Sequence, residues 1–256
     1  MYPILWSWGP LTLYTYGVLL ALAFAVTTWL ARRDAKALPP GRRALNADQI
    51  QDFASAALLG GILGGRLLYV IVQWPAFAAA PALIPAIWRG GLIWYGGFAG
   101  GLLAGWIYLR AQGLPVLRAL DQFIPFLAVG HAIGRIGCFF NGCCYGRSTE
   151  AWYGVQFPGH PRPVVPTQLF EAAGLVAMFF ALRAARSTCH EPGRVFGLYL
   201  TCYAALRFGI EFFRGDQARW HGLTLPQAVS IALLAIGYQL VKQKQETVSG
   251  TKSVRH

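Results

Sequence analysis

Seven stretches of the chain, roughly residues 13–31, 50–73, 92–109, 122–140, 166–184, 193–211 and 223–241, each approach the length of about 20 mostly apolar residues that a helix needs to cross a bilayer core. Backbone groups in lipid must find their hydrogen bonds within their own segment, so helices are the default solution. Nothing alternates with the period of two that a membrane barrel requires. Charged residues make up 12% of the 256, against about 25% in ordinary soluble domains, which leaves too little charge to cover a soluble surface and excludes intrinsic disorder. The expected fold class is an all-α integral membrane protein, a bundle of about seven transmembrane helices. Residues 1–241 are expected to form a single transmembrane domain, and 242–256 a polar, disordered cytoplasmic tail. The opening MYPILWSWGP lacks the positive n-region of a secretory signal, so the first span is expected to be retained.

The chain carries 22 Lys and Arg against 10 Asp and Glu, a net charge of +12. Such basicity often marks nucleic-acid binders, but here the cations punctuate apolar runs, and no nucleic-acid partner is expected. Fourteen of them fall on one side of the predicted bundle. These are Arg32, Arg33, Lys36, Arg42 and Arg43 after span one, Arg110 and Arg118 after span three, Arg183, Arg186 and Arg194 after span five, and four in the tail. Five fall on the other side, at Arg89, Arg147, Arg162, Arg214 and Arg219. The positive-inside rule then puts the N-terminus outside and the C-terminus in the cytoplasm, in agreement with an odd number of spans. Trp6, Trp8, Tyr14 and Tyr16 suit an outer aromatic belt, and the loop over about 141–165 suits a partly ordered outer cap.

Arg66, Arg135 and Arg207 remain within or at the ends of spans, where a charge costs about 2.5–3.5 kcal/mol on insertion scales and needs a partner or a role. Arg207, Glu211 and Arg214 are spaced i, i+4, i+7 along one helix face. They read either as a structural Arg–Glu pair or as an anion site in which Glu211 orients the arginines. Arg135 lies in GHAIGRIGCFFNGCCYGRST, one helical turn after His131, with Asn141 and several glycines nearby, and reads as functional. Arg66 follows ALLGGILGGR and either snorkels to an interface or joins the anion site. The small-xxx-small glycines before it, and those in YGGFAGGLLAG, read as tight helix packing. Forked arginine donors suit phosphate oxygens, and apolar walls suit acyl chains, so a phospholipid is the expected ligand.

Cys138, Cys143 and Cys144 cluster in the same stretch; Cys189 and Cys202 lie elsewhere. The C-x4-C-C spacing is not a standard zinc pattern, and no second Cys/His pair completes a tetrahedral site, so no metal is expected. A disulfide from Cys138 to Cys143 or Cys144, packing as small apolar residues, and a thiol nucleophile all remain open.

GRIGCFFNGCCYGR resembles the signature of the prolipoprotein diacylglyceryl transferases, which typically reads close to GRxxNFxNxExxG. LYTYG, GGRLLYV, GGLIWYGG, VPTQLFE and LRFGIEFFR follow the family's motifs in order, so the resemblance covers about residues 10–240. It implies a seven-span enzyme of the bacterial inner membrane, working without a cofactor. Such an enzyme moves the diacylglyceryl group of phosphatidylglycerol to the lipobox cysteine of a prolipoprotein signal peptide and releases glycerol-1-phosphate. On this resemblance Arg135 and Arg207 match the essential arginines, and Glu211 and Arg214 their companions. Tyr16, Asn141 and Gly146 match further motif positions. The chain departs from the pattern where Tyr95 replaces the HGG histidine, Cys138 the signature asparagine and Cys143 the signature glutamate. His131 or Tyr95 is then the expected base. Two other readings are a same-fold enzyme with a different acceptor or thiol redox chemistry, and a phospholipid-binding protein without catalysis.

Overall fold

Each of the seven apolar stretches lies on one long helix of a computed structural model, which describes residues 3–8, 11–39, 41, 43–189, 191–214, 219–220 and 222–242. In chain order these helices are α1 (Thr15–Ala37), α2 (Ala47–Val72), then, after a short α3 (Trp74–Ala79), α4 (Trp94–Ala111), α5 (Val116–Asn141), α6 (Thr167–Thr188), α7 (Arg194–Glu211) and α8 (Leu225–Lys242). Five of them, α1, α2, α5, α6 and α8, are long and apolar enough to cross a membrane. Their outward faces are correspondingly apolar: Leu59, Leu63, Leu67 and Ile71 form a stripe on α2, with Leu63 69% exposed. The chain is a multi-pass membrane protein. Lys242 closes α8, and the rest of the expected tail, 243–256, lies outside the described residues.

Several helices outrun their apolar stretches. Arg32, Arg33 and Lys36 stand on the last turns of α1, Arg118 on the first turn of α5, and Arg183 and Arg186 near the end of α6, where connecting loops were expected. Long cationic side chains reach past a helix end to water while their stems stay in apolar surroundings. Near a C-terminus they also meet the negative end of the helix dipole. Ahead of α1 the chain forms an antiparallel hairpin, β1 (Ile4–Trp8) and β2 (Leu11–Tyr14), pairing Ile4 with Tyr14 and Trp8 with Leu11. A second short hairpin, β3 (Arg219–Trp220) and β4 (Leu223–Thr224), precedes α8.

Within the domain expected over 1–241 the chain forms two compact units, one built from residues of 31–119 and the other from residues of 1–30 and 120–256. In the first, Asn46 caps α2 through a reciprocal box: its side chain accepts from the Asp48 and Gln49 amides, and the Gln49 side-chain oxygen accepts from the Asn46 amide at 2.9 Å. Helices α2 and α4 then cross at the glycines. A Cβ placed on Gly60 would stand 2.6 Å from the Gly100 carbonyl oxygen, and one on Gly64 would stand 2.9 Å from the Gly100 Cα. Only glycine permits that approach, as small-residue packing in lipid requires.

In the second unit α6 and α7 pack on α5 through Ile124, Ala128, Met178, Leu182, Val195 and Tyr199. The Asp121 carboxylate of α5 accepts from the Gly193 and Phe196 amides at 2.5 and 2.8 Å, capping α7 from outside its own chain segment. That contact satisfies otherwise orphaned donors at the positive end of the helix and anchors the helix that carries Arg207. Helices α7 and α8 meet at Gly197 and Gly237. The loop expected to form a cap is tied together locally: Val164 bridges to both Ser148 and Val155, and Phe157 is buried against Phe139 and Tyr145.

Candidate active site

Helices α5, α6 and α7 of the second unit converge on one carboxylate, Glu171, which is 2% exposed. Arg135 of α5 reaches it at 3.0 Å through Nη2, and the Tyr203 hydroxyl of α7 donates to it at 3.2 Å. His131, one turn before Arg135, places Nε2 4.0 Å from the same oxygen and its ring 5.0 Å from that of Tyr203. His131 and Arg135 on α5, and Tyr203 and Arg207 on α7, are each spaced i, i+4, and the His131 and Tyr203 rings meet directly beside Glu171 of α6. Arg207 is paired with Glu211 at 2.8 Å, as their spacing predicts, and Glu211 is 1% exposed. Helix α7 ends at Glu211, so Arg214 lies just past the helix and does not continue its face; its amide donates to the Glu211 carbonyl at 3.2 Å.

A charge so enclosed is tolerable only when paired. Each arginine here is held by its carboxylate, yet each keeps a buried nitrogen, Nε of Arg135 and Nη1 of Arg207, with no hydrogen-bond partner among the described residues. Buried donors of this kind are rare in folded proteins, and they are what an incoming anion would use. The site was only partly foreseen: Glu171 and Tyr203 were not among the expected site residues. The signal was present, since VPTQLFE places an acid inside an apolar run, where an acid needs a partner as much as an arginine does.

The end of α5 builds a second cluster beside the first. Asn141 is its last residue, and the chain then turns back through two left-handed residues, Gly142 at φ 73° and Cys144 at φ 64°. For a non-glycine residue that conformation costs roughly 1–2 kcal/mol. The turn is pinned by α6, whose Gln168 amide donates to the Cys143 carbonyl at 2.5 Å and whose Thr167 hydroxyl donates to the Cys144 carbonyl at 2.8 Å. As a result the sulfurs of Cys138, Cys143 and Cys144 all lie within 4.8 Å of one another, unlinked by disulfides. Sequence spacing argued against a shared ligand set; the reversal of the chain brings the three thiols together all the same. The Cys143 thiol donates to the Cys138 carbonyl at 3.6 Å, and the Cys144 thiol is shifted below the ordinary thiol range by the neighbouring Cys138 and Cys143 side chains, with Arg214 and Arg135 adding positive potential. Tyr16 closes this side: its ring packs on Gly137, where a Cβ would stand 3.2 Å from Cδ2. Gly146 has no room for a side chain either, because a Cβ there would stand 2.5 Å from the Phe213 carbonyl oxygen.

Arg66 and Tyr95 belong to the first unit. The Arg66 guanidinium donates to the carbonyls of Ile84 at 2.8 Å, Gly90 at 2.7 Å, Gly91 at 3.1 Å and Leu83 at 2.6 Å. It also lies over the rings of Tyr69 and Phe77. Four of its N–H donors are thereby engaged in holding the segment after α3, which gives Arg66 a structural occupation in place of the expected anion contact. Tyr95 is 63% exposed on α4, edge-on to Trp94.

The family model of prolipoprotein diacylglyceryl transferase matches residues 3–242 of the chain. Among curated relatives, a phosphatidylglycerol–prolipoprotein diacylglyceryl transferase of Clostridium tetani is 34% identical over 244 residues, covering 93% of this chain and 95% of the relative. The protein of the same name from Aromatoleum aromaticum is 34% identical over 249 residues, with 93% and 94% covered. That from Pseudoalteromonas atlantica is 37% identical over 215 residues, with 83% and 75% covered. The family model and these relatives match the chain along nearly its whole length, and this chain belongs to the prolipoprotein diacylglyceryl transferase family.

Proposed function

We propose that the chain transfers the diacylglyceryl group of phosphatidylglycerol to the lipobox cysteine thiol of a prolipoprotein signal peptide, releasing glycerol-1-phosphate. The observation that carries this reading is the pair of partly enclosed guanidiniums, Arg135 on Glu171 and Arg207 on Glu211, each with a buried, unused donor nitrogen. The lipid phosphodiester accepts from those donors. The acceptor thiolate attacks the glycerol carbon bearing the phosphate ester, a C–S bond forms, and the C–O bond breaks with its electron pair passing to the phosphate. Negative charge grows on the departing phosphate, so donors fixed in advance stabilise the transition state more than the ground state. Glu171 and Glu211 position the arginines and take no part in bond making. His131, beside Tyr203 and Glu171, receives the thiol proton in this reading. Tyr16, Asn141, Gly146 and Arg214 shape the mouth of the site.

The same reading places all seven long helices across the bacterial inner membrane, with the N-terminus outside and the C-terminus in the cytoplasm. Basic residues support it: the last turns of α1, α4, α6 and α8 hold Lys36, Arg110, Arg186 and Lys242, while those of α2, α5 and α7 hold none. These are alternate spans, ending on one side, as the positive-inside rule demands. The central test is incubation with labelled phosphatidylglycerol and a lipobox peptide, with mass analysis of both products. Thioether-linked diacylglyceryl peptide and glycerol phosphate are expected in equal amounts. Arg135→Ala should abolish both while leaving a folded, membrane-inserted protein; normal transfer by that variant rejects the assignment.

A further inference from the structure

We infer that Cys138, Cys143 and Cys144 form a three-thiolate zinc site whose fourth position takes the acceptor thiol. Two observations carry it. The sulfurs already lie within 4.8 Å of one another, and ligands around a tetrahedral zinc with Zn–S bonds of about 2.3 Å stand about 3.8 Å apart. The backbone is itself committed to the arrangement: the left-handed Gly142 and Cys144 turn the chain back on α5, and Gln168 and Thr167 hold the two carbonyls of the turn.

Three protein ligands leave a position open, which is the pattern of catalytic rather than structural zinc. Sulfur donors select soft or borderline metals such as zinc over magnesium or calcium. The role of the open position rests on the transferase reading. The acceptor thiol binds the metal and loses its proton, since a coordinating thiol is deprotonated outright. The bound sulfur then forms the C–S bond to the glycerol carbon, while the C–O bond breaks toward the phosphate held by Arg135. The thiol proton leaves to His131 or water, and no electron donor or oxidant is consumed. The site thereby supplies activation that the departures at Tyr95, Cys138 and Cys143 would otherwise remove.

The test uses the full chain in detergent micelles, purified without chelator under reducing, anaerobic conditions. One zinc per chain is expected, falling to none in Cys143→Ser and in Cys138→Ser and unchanged in Cys202→Ser, which alters an exposed cysteine outside the cluster. Replacement by Co²⁺ should give thiolate-to-cobalt charge transfer on the unaltered protein, a readout that does not depend on the variants folding. Adding a lipobox peptide should then shift the cobalt ligand-field bands, and the same peptide with serine for cysteine should not. Metal-free wild-type protein, zinc retained in both cluster variants, or a disulfide among the three thiols overturns the site. A cobalt spectrum indifferent to the thiol peptide overturns its role in activating the acceptor. Metal content is measured with no lipid present, so failure of this site is distinguishable from failure of the transferase reading.

Discussion

Glu171 has three neighbours on two helices, and its removal reaches all of them: Arg135 loses its counter-charge, Tyr203 its acceptor and His131 its electrostatic anchor. Breaking a buried ion pair by deleting one partner typically costs about 3–5 kcal/mol, because the remaining charge stays buried. Glu171→Gln keeps the shape and an acceptor for Tyr203 but leaves Arg135 free to swing. A misplacement of a positioned group by about 1 Å can cost on the order of 10²-fold in rate. Transfer by Glu171→Gln is therefore expected to fall by at least that factor while the variant still inserts and still binds phosphatidylglycerol vesicles. Near-normal kcat in a labelled-lipid assay would show that Arg135 needs no positioning carboxylate. The arginines were legible from the chain, because a guanidinium inside an apolar run has no cheap explanation. Glu171 obeys the same rule, but the chain alone does not show which cation it meets, while Tyr203 looks like any aromatic on a membrane helix.

Among the elements, the crossing of α2 and α4 is the most sequence-determined contact. Glycines recur at four-residue spacing on one face of α2, and the leucines of the opposite face point outward. In lipid there is little hydrophobic force between helices, so close backbone approach supplies the packing. A side chain at Gly64 would drive the helices apart. Gly64→Val is expected to destabilise the protein by about 1–3 kcal/mol or more, the usual range for overpacking. A lowered midpoint of thermal unfolding in detergent checks this, whereas Gly41→Val, at a glycine with no neighbouring atoms, should leave the midpoint unchanged. Helix positions could be read from hydropathy because each span must be apolar by itself. The β1–β2 hairpin and the turns clamped by Arg66 could not, since they are too short to carry a period and depend on partners up to 25 residues away.

At the scale of the whole molecule, the proposed topology makes a prediction of its own. A fluorescent protein that folds only in the cytoplasm, fused after Lys242, should fluoresce, and alkaline phosphatase fused there should be inactive. Insertion of the phosphatase beside Trp152, a 94% exposed residue of the cap, should give the reverse pattern. The opposite pairing would invert the bundle and put the thiol cluster on the cytoplasmic side. By itself the sequence determined the membrane class, the location of the seven long helices and the family, because hydropathy, loop charge and motif order are properties of consecutive residues. Only the tertiary structure decided which charges meet, that Arg66 serves the fold, and that three cysteines too irregularly spaced for a ligand motif lie together. Those outcomes depend on how helices are rotated about their axes and on a turn with two left-handed residues. Neither is a sum over neighbouring residues, so both had to be seen in three dimensions.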